Sequence, residues 1–242
     1  MQGSSPKLVL YDFPASTGRD GWASFSPFVL TVERALKLAK LPFEMKQVPM
    51  TSIKGLNPTG QLPVLAVDSE NVADSTRILH RIEALAPGSM TGGLDARGVG
   101  EAWLWEEFAD TALYPQVLAT RWVDDRGWPV VKKGFFGSFP PVIRDVIASM
   151  IRSKMHKTLA ARDFIRGGLA ACEERLGRVL DALDARAPES GFWLGPKASA
   201  ADIGLFGQLH SMRLPDTGFR ADGIASRARL SAWLDRVDSA TR

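Results

Sequence analysis

The stretch PGSMTGG, from Pro87 to Gly93, divides the chain into two parts with different sequence patterns. Before it, short apolar and β-branched runs alternate with helical patterns. After it, long helical patterns follow one another and strand patterns disappear. A run of small, turn-forming residues is typical of a linker. The sequence therefore predicts two domains, residues 1–86 and 95–242, joined by a linker at residues 87–94.

The first part carries four strand patterns and two helix patterns. A Ser-Pro pair at Ser26 and Pro27 opens one helix, because Ser caps helices well and Pro suits their first turn. Ser75 opens the other helix. In chain order the patterns are the strand KLVLYDF, the helix SPFVLTVERALKLAKL, the strands FEMKQVPM, QLPVLAV and ENVAD, and the helix STRILHRIEAL. This order predicts an α/β domain with a mixed four-stranded sheet and flanking helices, followed by an all-α domain.

Composition and charge exclude several classes of protein. The 242 residues are 45% hydrophobic and 24% charged, which indicates a folded chain with a real core. Acidic and basic residues are interleaved without a long basic run, so no nucleic-acid partner is expected. No apolar stretch approaches the ~18 residues that a membrane span needs, and the first residues do not resemble a secretory signal. We therefore expect a cytoplasmic protein without a membrane span.

The cysteine and histidine residues argue against disulfides and metal sites. Cys172 is the single cysteine, so neither an intrachain disulfide nor a multi-cysteine metal site can form. We expect Cys172 to be a buried, small apolar residue. The histidines His80, His156 and His210 are far apart and lack the spacing of metal ligands. The expected protein uses no metal.

Three sequence motifs, taken in their order and at their spacings along the chain, resemble those of a known family. They are NPTGQLPVL around Pro63, ADSTRIL around Asp74 and Ser75, and SAADIGL, where Ser199 and Asp202 have the spacing of a capping box. In this order they resemble the glutathione transferase superfamily. The resemblance implies a thioredoxin-like N-terminal domain, an all-helical C-terminal domain, glutathione as co-substrate and a homodimer. The helix opening SPFVLTVERALKLAKLPFE is similar to omega-type members and to the branch of metaxin and the failed-axon-connections protein.

The same resemblance implies a glutathione site on the first domain. Ser75 would bind the γ-glutamyl carboxylate with its hydroxyl and with free amides at the positive end of a helix, and Asp74 would hold the ammonium. The family's proline is cis, so Pro63 would turn the backbone of Leu62 towards the cysteinyl unit. The glycyl carboxylate would meet two side chains of the preceding segment, namely Lys54 and Gln61. The alternatives are a helix cap at Asp74-Ser75, a turn proline, and a solvated lysine.

Ser26 lies where the resemblance places the sulfur of glutathione. A hydroxyl that donates to the sulfur at the positive end of a helix stabilises the thiolate, the form that attacks electrophiles. The alternative is a purely structural role as the cap of that helix. Ser24 and Tyr11 are weaker candidates for the sulfur contact. The loop Pro14–Phe25 is longer than in the common classes, so the geometry around Ser26 cannot be copied from them.

The second substrate would bind against the helical domain, beside the sulfur. Trp105 and Tyr114 are the expected lining residues, although aromatic side chains on long helices also serve as core. The loop Asp124–Pro141 is long enough to act as a lid. The sequence thus favours a transferase that conjugates glutathione to a small hydrophobic electrophile or uses glutathione to reduce it. The alternatives are a non-catalytic, metaxin-like binding or assembly protein, and a glutathione-dependent isomerase or peroxidase.

Overall fold

The N-terminal half forms a four-stranded sheet with helices against it. In the computed structural model, residues 6–14, 24–137, 139–213 and 218–242 are described. The strands are β1 (Leu8–Asp12), β2 (Glu44–Gln47), β3 (Val64–Val67) and β4 (Glu70–Ala73), in the order β2-β1-β3-β4. Strand β1 is parallel to β2 and antiparallel to β3, and β3 is antiparallel to β4. The predicted mixed sheet is therefore confirmed.

The burial of the strands follows from their order in the sheet. The central strand β3, with the sequence VLAV, is buried at every residue, as expected for a strand covered on both faces. Strand β1 alternates between buried and half-buried residues. The edge strands β2 and β4 are exposed or half-buried and carry charged residues, which protects open edges from pairing with other chains.

The helices of the N-terminal half are α1 (Pro27–Leu38), the short α2 (Ile53–Leu56) and α3 (Ser75–Leu85). Helices α1 and α3 begin where the capping rules indicate, whereas α2 has no side-chain cap. The side chain of Ser26 accepts a hydrogen bond from the amide of Val29, and the side chain of Asp74 accepts one from the amide of Arg77. Both helix N-termini are thereby capped at the edge of the sheet.

The C-terminal half is helical, as predicted. Its helices are α4 (Ala96–Phe108), α5 (Tyr114–Leu118), α6 (Trp128–Phe136), α7 (Pro141–Ala161), α8 (Gly168–Arg186), α9 (Ala200–Met212), α10 (Gly218–Ala225) and α11 (Ala228–Thr241). The π-helical turn Ala109–Leu113 joins α4 to α5. A second π-helical turn, Ala119–Val123, continues α5, so that one helical run extends to Val123. Within the described ranges, no helix combines the length and the apolar character that crossing a membrane requires. The exact limits of the two domains and of the linker stay a prediction.

The expected loop Asp124–Pro141 is wrong in one respect, because helix α6 occupies half of it. Pro129 lies in the first turn of α6, where a proline costs no hydrogen bond. The helix buries Val131 and Phe136. The glycines and prolines of this segment thus delimit a short helix, and the aromatic residues hold it against the body of the protein.

Helix α9 forms the centre of the helical half, and every residue from Ala200 to Met212 is buried. The predicted capping box at its start is confirmed, since the amide of Ser199 donates to Asp202 Oδ2 at 3.0 Å. Helix α9 packs against α1 of the other half. At the contact, a Cβ atom added to Gly207 would overlap with Thr31 Oγ1 and would lie 2.9 Å from the carbonyl oxygen of Pro27. Gly207 therefore permits the close approach of the two helices.

We expect Gly207→Ala to lower the free energy of unfolding by about 1–3 kcal/mol, because the methyl group has to push α9 away from α1. Urea unfolding followed by circular dichroism measures the change. The matched control is Gly177→Ala in helix α8, where an added Cβ meets nothing within 4 Å. This control should gain roughly 0.5–1 kcal/mol, since alanine is the better helix former. A Gly207→Ala variant as stable as its control would contradict the tight contact.

Candidate functional site

A cavity of about 600 Å³ lies between the sheet-bearing half and the helical half. Its volume is within the range of small-molecule sites. The N-terminal half lines it with Phe13, Phe25, Ser26, Pro27, Phe28, Asn57, Thr59, Gly60, Gln61, Leu62, Pro63, Ala73, Asp74, Ser75 and Arg77. The helical half adds Asp110, Thr111, Tyr114, Val117, Leu118, Arg121, Trp122, Phe135, Met155 and Arg162. Most of the residues singled out from the sequence therefore meet at one place.

Ser26 is a helix cap that also lines the cavity. Its Oγ accepts from the amide of Val29 at 3.3 Å, and the residue is 7% exposed. A hydroxyl has one proton to donate and two lone pairs. The bond to Val29 uses a lone pair, so the proton of Ser26 is left for a group in the cavity. Capping and donation by Ser26 are geometrically compatible.

The buried carboxyl group of Asp12 fixes the position of the chain just before Ser26. Asp12 Oδ1 accepts from the hydroxyl of Ser24 at 2.7 Å and from the amide of Phe13 at 2.7 Å. Ser24 Oγ in turn accepts from the amide of Ser26 at 3.0 Å. Burial raises the pKa of Asp12 to about 7, against the opposing effect of these two donors. Asp12 and Ser24 thus tie the end of β1 to the beginning of α1.

The hydroxyl of Ser24 is therefore engaged with Asp12, and Ser24 is 2% exposed. Tyr11 is half-buried in β1 and packs against the main hydrophobic core. Neither residue is among those that line the cavity. Most of the preceding loop, residues 15–23, lies outside the described part of the chain.

The segment before β3 is shaped by one asparagine. Asn57 Nδ2 donates to the carbonyl oxygen of Gln61 at 2.9 Å, and Asn57 Oδ1 accepts from the amide of Thr59 at 3.2 Å. The peptide bond between Leu62 and Pro63 is cis, as the resemblance implied. Gln61, Leu62 and Pro63 all line the cavity. Asn57 thus holds the backbone that presents Leu62 to the cavity.

The beginning of α3 forms the polar end of the cavity. Asp74 has φ 83°, a backbone conformation that non-glycine residues seldom adopt and that is concentrated at binding sites. The hydroxyl of Ser75 donates to Asp110 Oδ2 at 3.4 Å, across the boundary between the two halves. Gln208 Nε2 lies 3.5 Å from Asp110 Oδ1. Asp74, Ser75 and Asp110 therefore form one polar cluster.

Asp110 of this cluster and the neighbouring Glu106 have raised pKa values. Burial is the main cause for both, and it raises the pKa of Glu106 to about 7 and that of Asp110 to about 8. The neighbouring charge of Glu106 adds to the effect on Asp110, whereas the hydroxyl of Ser75 opposes it. Glu106 accepts from Thr76 Oγ1 at 2.9 Å. Asp110 therefore gives up its proton less readily than an ordinary aspartate.

The helical run from α4 to the second π-helical turn supplies the opposite wall. Asp110, Tyr114 and Arg121 lie on one face of the run, because their separations of four and seven residues correspond to one and two turns. Sequence reasoning found Tyr114 and missed Asp110 and Arg121. The helical spacing from Tyr114 was the available signal, since it places both charged residues on the face that Tyr114 occupies.

Two of the expected site residues lie elsewhere. Trp105 does not line the cavity but packs edge-to-face against Phe108 and Trp193, with ring centroids 5.5 and 5.2 Å apart. Trp105 thus lies on a different face of the helical run from Asp110, and its contact with the second substrate stays a prediction. Lys54 is exposed on α2 and is also not among the lining residues.

Cys172, His80 and His210 pack against other parts of the protein. Cys172 is 2% exposed, and burial raises the pKa of its thiol. His80 stacks on Trp103 at 3.9 Å between ring centroids, and His210 stacks on Phe206 at 4.5 Å. Among the described residues, no group of three or more His, Cys, Asp or Glu side chains has the arrangement of a metal site.

Comparison with known families agrees with the fold. The model of the glutathione S-transferase N-terminal domain matches residues 27–127, and that of the glutathione S-transferase C-terminal domain matches residues 166–236. Together the two models span most of the chain. The chain belongs to the glutathione S-transferase superfamily. No curated protein matches it in sequence.

Several solved structures have the same fold. The beta-etherase LigF from Sphingobium sp. strain SYK-6 has a TM-score of 0.69 at 20% identity, over 96% of this chain and 95% of that one. Glutathione transferase F7 from Populus trichocarpa has 0.62 at 17% identity, over 97% and 99%. A glutathione S-transferase from Xylella fastidiosa has 0.60 at 17% identity, over 96% of both chains. At these identities the likeness shows the fold.

Proposed function

We propose that the protein is a glutathione-dependent transferase in which Ser26 assists the thiolate. The observation that carries this proposal is that two helix N-termini face one cavity. The first is capped by Ser26 and the second begins at Ser75. Each supplies a hydroxyl group and a positive dipole end, which together favour an anion. The thiolate and the γ-glutamyl carboxylate of glutathione are two such anionic groups.

The polar cluster suits the γ-glutamyl end of the tripeptide. The carboxylate would bind to the amides at the start of α3 and to the hydroxyl of Ser75. The ammonium group of the γ-glutamyl unit would lie between Asp74 and Asp110, where a charge-assisted bond forms once Asp110 ionises. Between the two ends, the backbone of Leu62 would pair with the cysteinyl unit like an added strand. Gln61 would meet the glycyl carboxylate, and Lys54 would be a more distant contact.

The chemical step follows from the position of Ser26. A thiol of pKa ~8.5 is mostly protonated at neutral pH, and only the thiolate is a good nucleophile. The hydroxyl of Ser26 would donate to the sulfur and stabilise the thiolate, and the thiol proton would pass to solvent. The sulfur then forms a bond to the electrophilic carbon, and the leaving group departs with the bonding electron pair. Tyr114 lies across the cavity and would contact the electrophile.

Two measurements test this proposal against the non-catalytic alternative. Isothermal titration calorimetry measures glutathione binding, and absorbance follows conjugation of glutathione to 1-chloro-2,4-dinitrobenzene. Binding together with turnover supports a transferase. Binding without turnover of aryl halides, hydroperoxides or isomerisable substrates would favour a binding protein of the metaxin-like type. An absence of glutathione binding would contradict the proposal.

The raised pKa of Asp110 predicts a pH-dependent affinity. S-methylglutathione serves as ligand because its sulfur does not titrate. Its affinity should increase roughly five- to tenfold from pH 6 to pH 8, since a higher pH ionises the Asp110 carboxyl group, whose pKa is about 8, next to the ligand's ammonium. Calorimetric titrations at several pH values measure the dependence.

In this experiment Asp110→Asn should give an affinity that changes less with pH than that of the wild type, because only Glu106 of the two carboxyl groups still titrates in this range, and that is weaker than the wild type at pH 8. Glu101→Gln, more than two turns earlier on the same helix, is the control and should keep the wild-type profile. A pH-independent affinity in the wild-type protein would show that Asp110 does not hold the ammonium.

Three further properties belong to the same proposal. We infer from the superfamily resemblance that the protein is a homodimer, that it works in the cytoplasm and that it serves detoxification.

Reduction of an electrophile by glutathione would use the same cavity, and so would ether cleavage, since one protein of this fold is a beta-etherase. Assays on hydroperoxides and aryl ethers distinguish these reactions from conjugation.

A further inference from the structure

Arg121 is a buried cation in the wall of the cavity. It is 5% exposed, and its guanidinium donates to the backbone carbonyl oxygens of Phe25 and Ser211. Among the described residues no carboxylate forms an ion pair with it. Burial lowers the pKa of Arg121 to about 10, so the group remains charged at neutral pH. Two carbonyl dipoles and the Phe25 ring, whose centroid lies 5.8 Å from the guanidinium carbon, therefore face a full positive charge, although buried charges are normally paired.

A second arginine faces the same part of the cavity. Arg162 is exposed at the end of α7, lines the cavity, and has no ion pair within the described ranges of the chain. Both arginines act on Tyr114. Burial raises the pKa of the Tyr114 phenol, and the positive charges of Arg121 and Arg162 oppose this increase. The charge of Asp110 acts in the opposite direction but is the smallest of these effects, so the region around the Tyr114 hydroxyl is electropositive.

Aromatic rings surround this electropositive region. The ring centroids of Phe28 and Tyr114 are 4.5 Å apart, and those of Trp122 and Phe135 are 5.9 Å apart. All four rings line the cavity. Flat apolar walls of this kind favour a planar ring in the ligand, which gains from stacked and edge-to-face contacts. The acidic residue Asp110 lies at the other end, three turns before Arg121 on the helical run.

We propose that the second substrate is an aromatic electrophile that carries a carboxylate group. The ring lies among Phe28, Tyr114 and Trp122, and the carboxylate is directed to Arg121 and Arg162. This inference rests on the proposed function, since the ring has to lie beside the sulfur at Ser26. It goes beyond that function because it specifies that the second substrate carries a negative charge. Arginine is suited to this role because its planar guanidinium matches a carboxylate.

A matched pair of unreactive ligands tests the charge preference without any turnover. 3-Nitrobenzoate and 3-nitrobenzamide have the same ring, and only the first is an anion. We expect calorimetry, with and without glutathione, to show that the benzoate binds at least about tenfold more tightly, as one charge-assisted contact allows. Equal affinities would overturn the inference.

Arg162→Gln should remove most of this preference while the protein folds normally, because Arg162 is exposed. The control is Arg97→Gln on α4, which removes the same net charge from a side chain that is 87% exposed and away from the cavity. The control should keep the wild-type preference. If Arg162→Gln keeps it as well, or weakens glutathione binding instead, then Arg162 serves another ligand and the inference is wrong.

Kinetics distinguish a failure of this inference from a failure of the proposed function. The substrates are 4-chloro-3-nitrobenzoate and its methyl ester, and each enzymatic rate is divided by the uncatalysed rate with glutathione. Turnover of both without a preference for the acid would overturn the inference and leave the transferase standing. A preference for nitrobenzoate without any glutathione binding would overturn the transferase and leave a binding site for anionic aromatic compounds.

Discussion

Replacement of Asp202 by alanine is expected to lower the free energy of unfolding by about 3–5 kcal/mol, because it leaves several buried donors without an acceptor. Asp202 is completely buried at the first turn of α9. Its Oδ1 accepts from the amide of Trp193 at 2.7 Å and from Trp233 Nε1 at 3.0 Å. Its Oδ2 accepts from the amide of Ser199 at 3.0 Å. One side chain therefore joins three separate segments of the helical half.

Urea unfolding followed by tryptophan fluorescence measures this loss, since Trp193 and Trp233 are both buried. The control is Asp181→Ala on α8, where the carboxylate is 71% exposed and pairs with Arg227. Exposed ion pairs contribute about 0–1 kcal/mol, so the control should remain close to the wild type. If Asp202→Ala loses no more than its control, the capping box is not the connection that the geometry indicates.

Ser26→Ala should lower turnover at neutral pH about 30-fold and leave glutathione affinity nearly unchanged. The variant loses the donor to the sulfur, and a pKa increase of two units in the bound thiol corresponds to about 2.7 kcal/mol. The effect should shrink as the pH rises, because the thiol then ionises without help. The thiolate absorbance of bound glutathione, titrated against pH, measures the pKa directly.

A second cap provides the control for Ser26. Asp95 caps α4 by accepting from the amide of Gly98 at 2.8 Å, and it is not among the residues that line the cavity. Asp95→Ala should cost about 1 kcal/mol of stability without a change in activity per folded molecule. If Ser26→Ala behaves like Asp95→Ala, then Ser26 is a cap and nothing more.

Local interactions explain why part of the site was predictable. Ser26 and Asp74 bond to amides three residues further along the chain, and the capping box of Ser199 and Asp202 also spans three residues. Such contacts depend on short spacings that can be read along the chain. The cis bond at Pro63 was expected from the resemblance of a short motif. The structure brings Ser26, Pro63, Asp74 and Ser75 to one cavity, and their roles towards glutathione stay predictions.

Contacts between distant segments explain what the sequence did not reveal. Asp110 meets Ser75 across 35 residues, and Arg121 meets the carbonyl of Phe25 across 96. The spacing from Tyr114 was a local signal for Asp110, but it does not show that this face of the helical run lines the cavity. Trp105 was chosen for its aromatic ring, yet the rotation of α4 directs it to Trp193. Only the packing of the helices decides which face of the run lines the cavity.

The sequence by itself determined the alternation of strands and helices, the change to an all-α half, and the caps that begin α1, α3 and α9, because all of these depend on residues within a turn or two. The tertiary structure alone decided that Ser26 and Ser75 share a cavity with Asp110 and Arg121. The physical reason is the close approach of α9 to α1, which Gly207 permits. That contact sets the position of the helical half, and with it the charges that face the substrate.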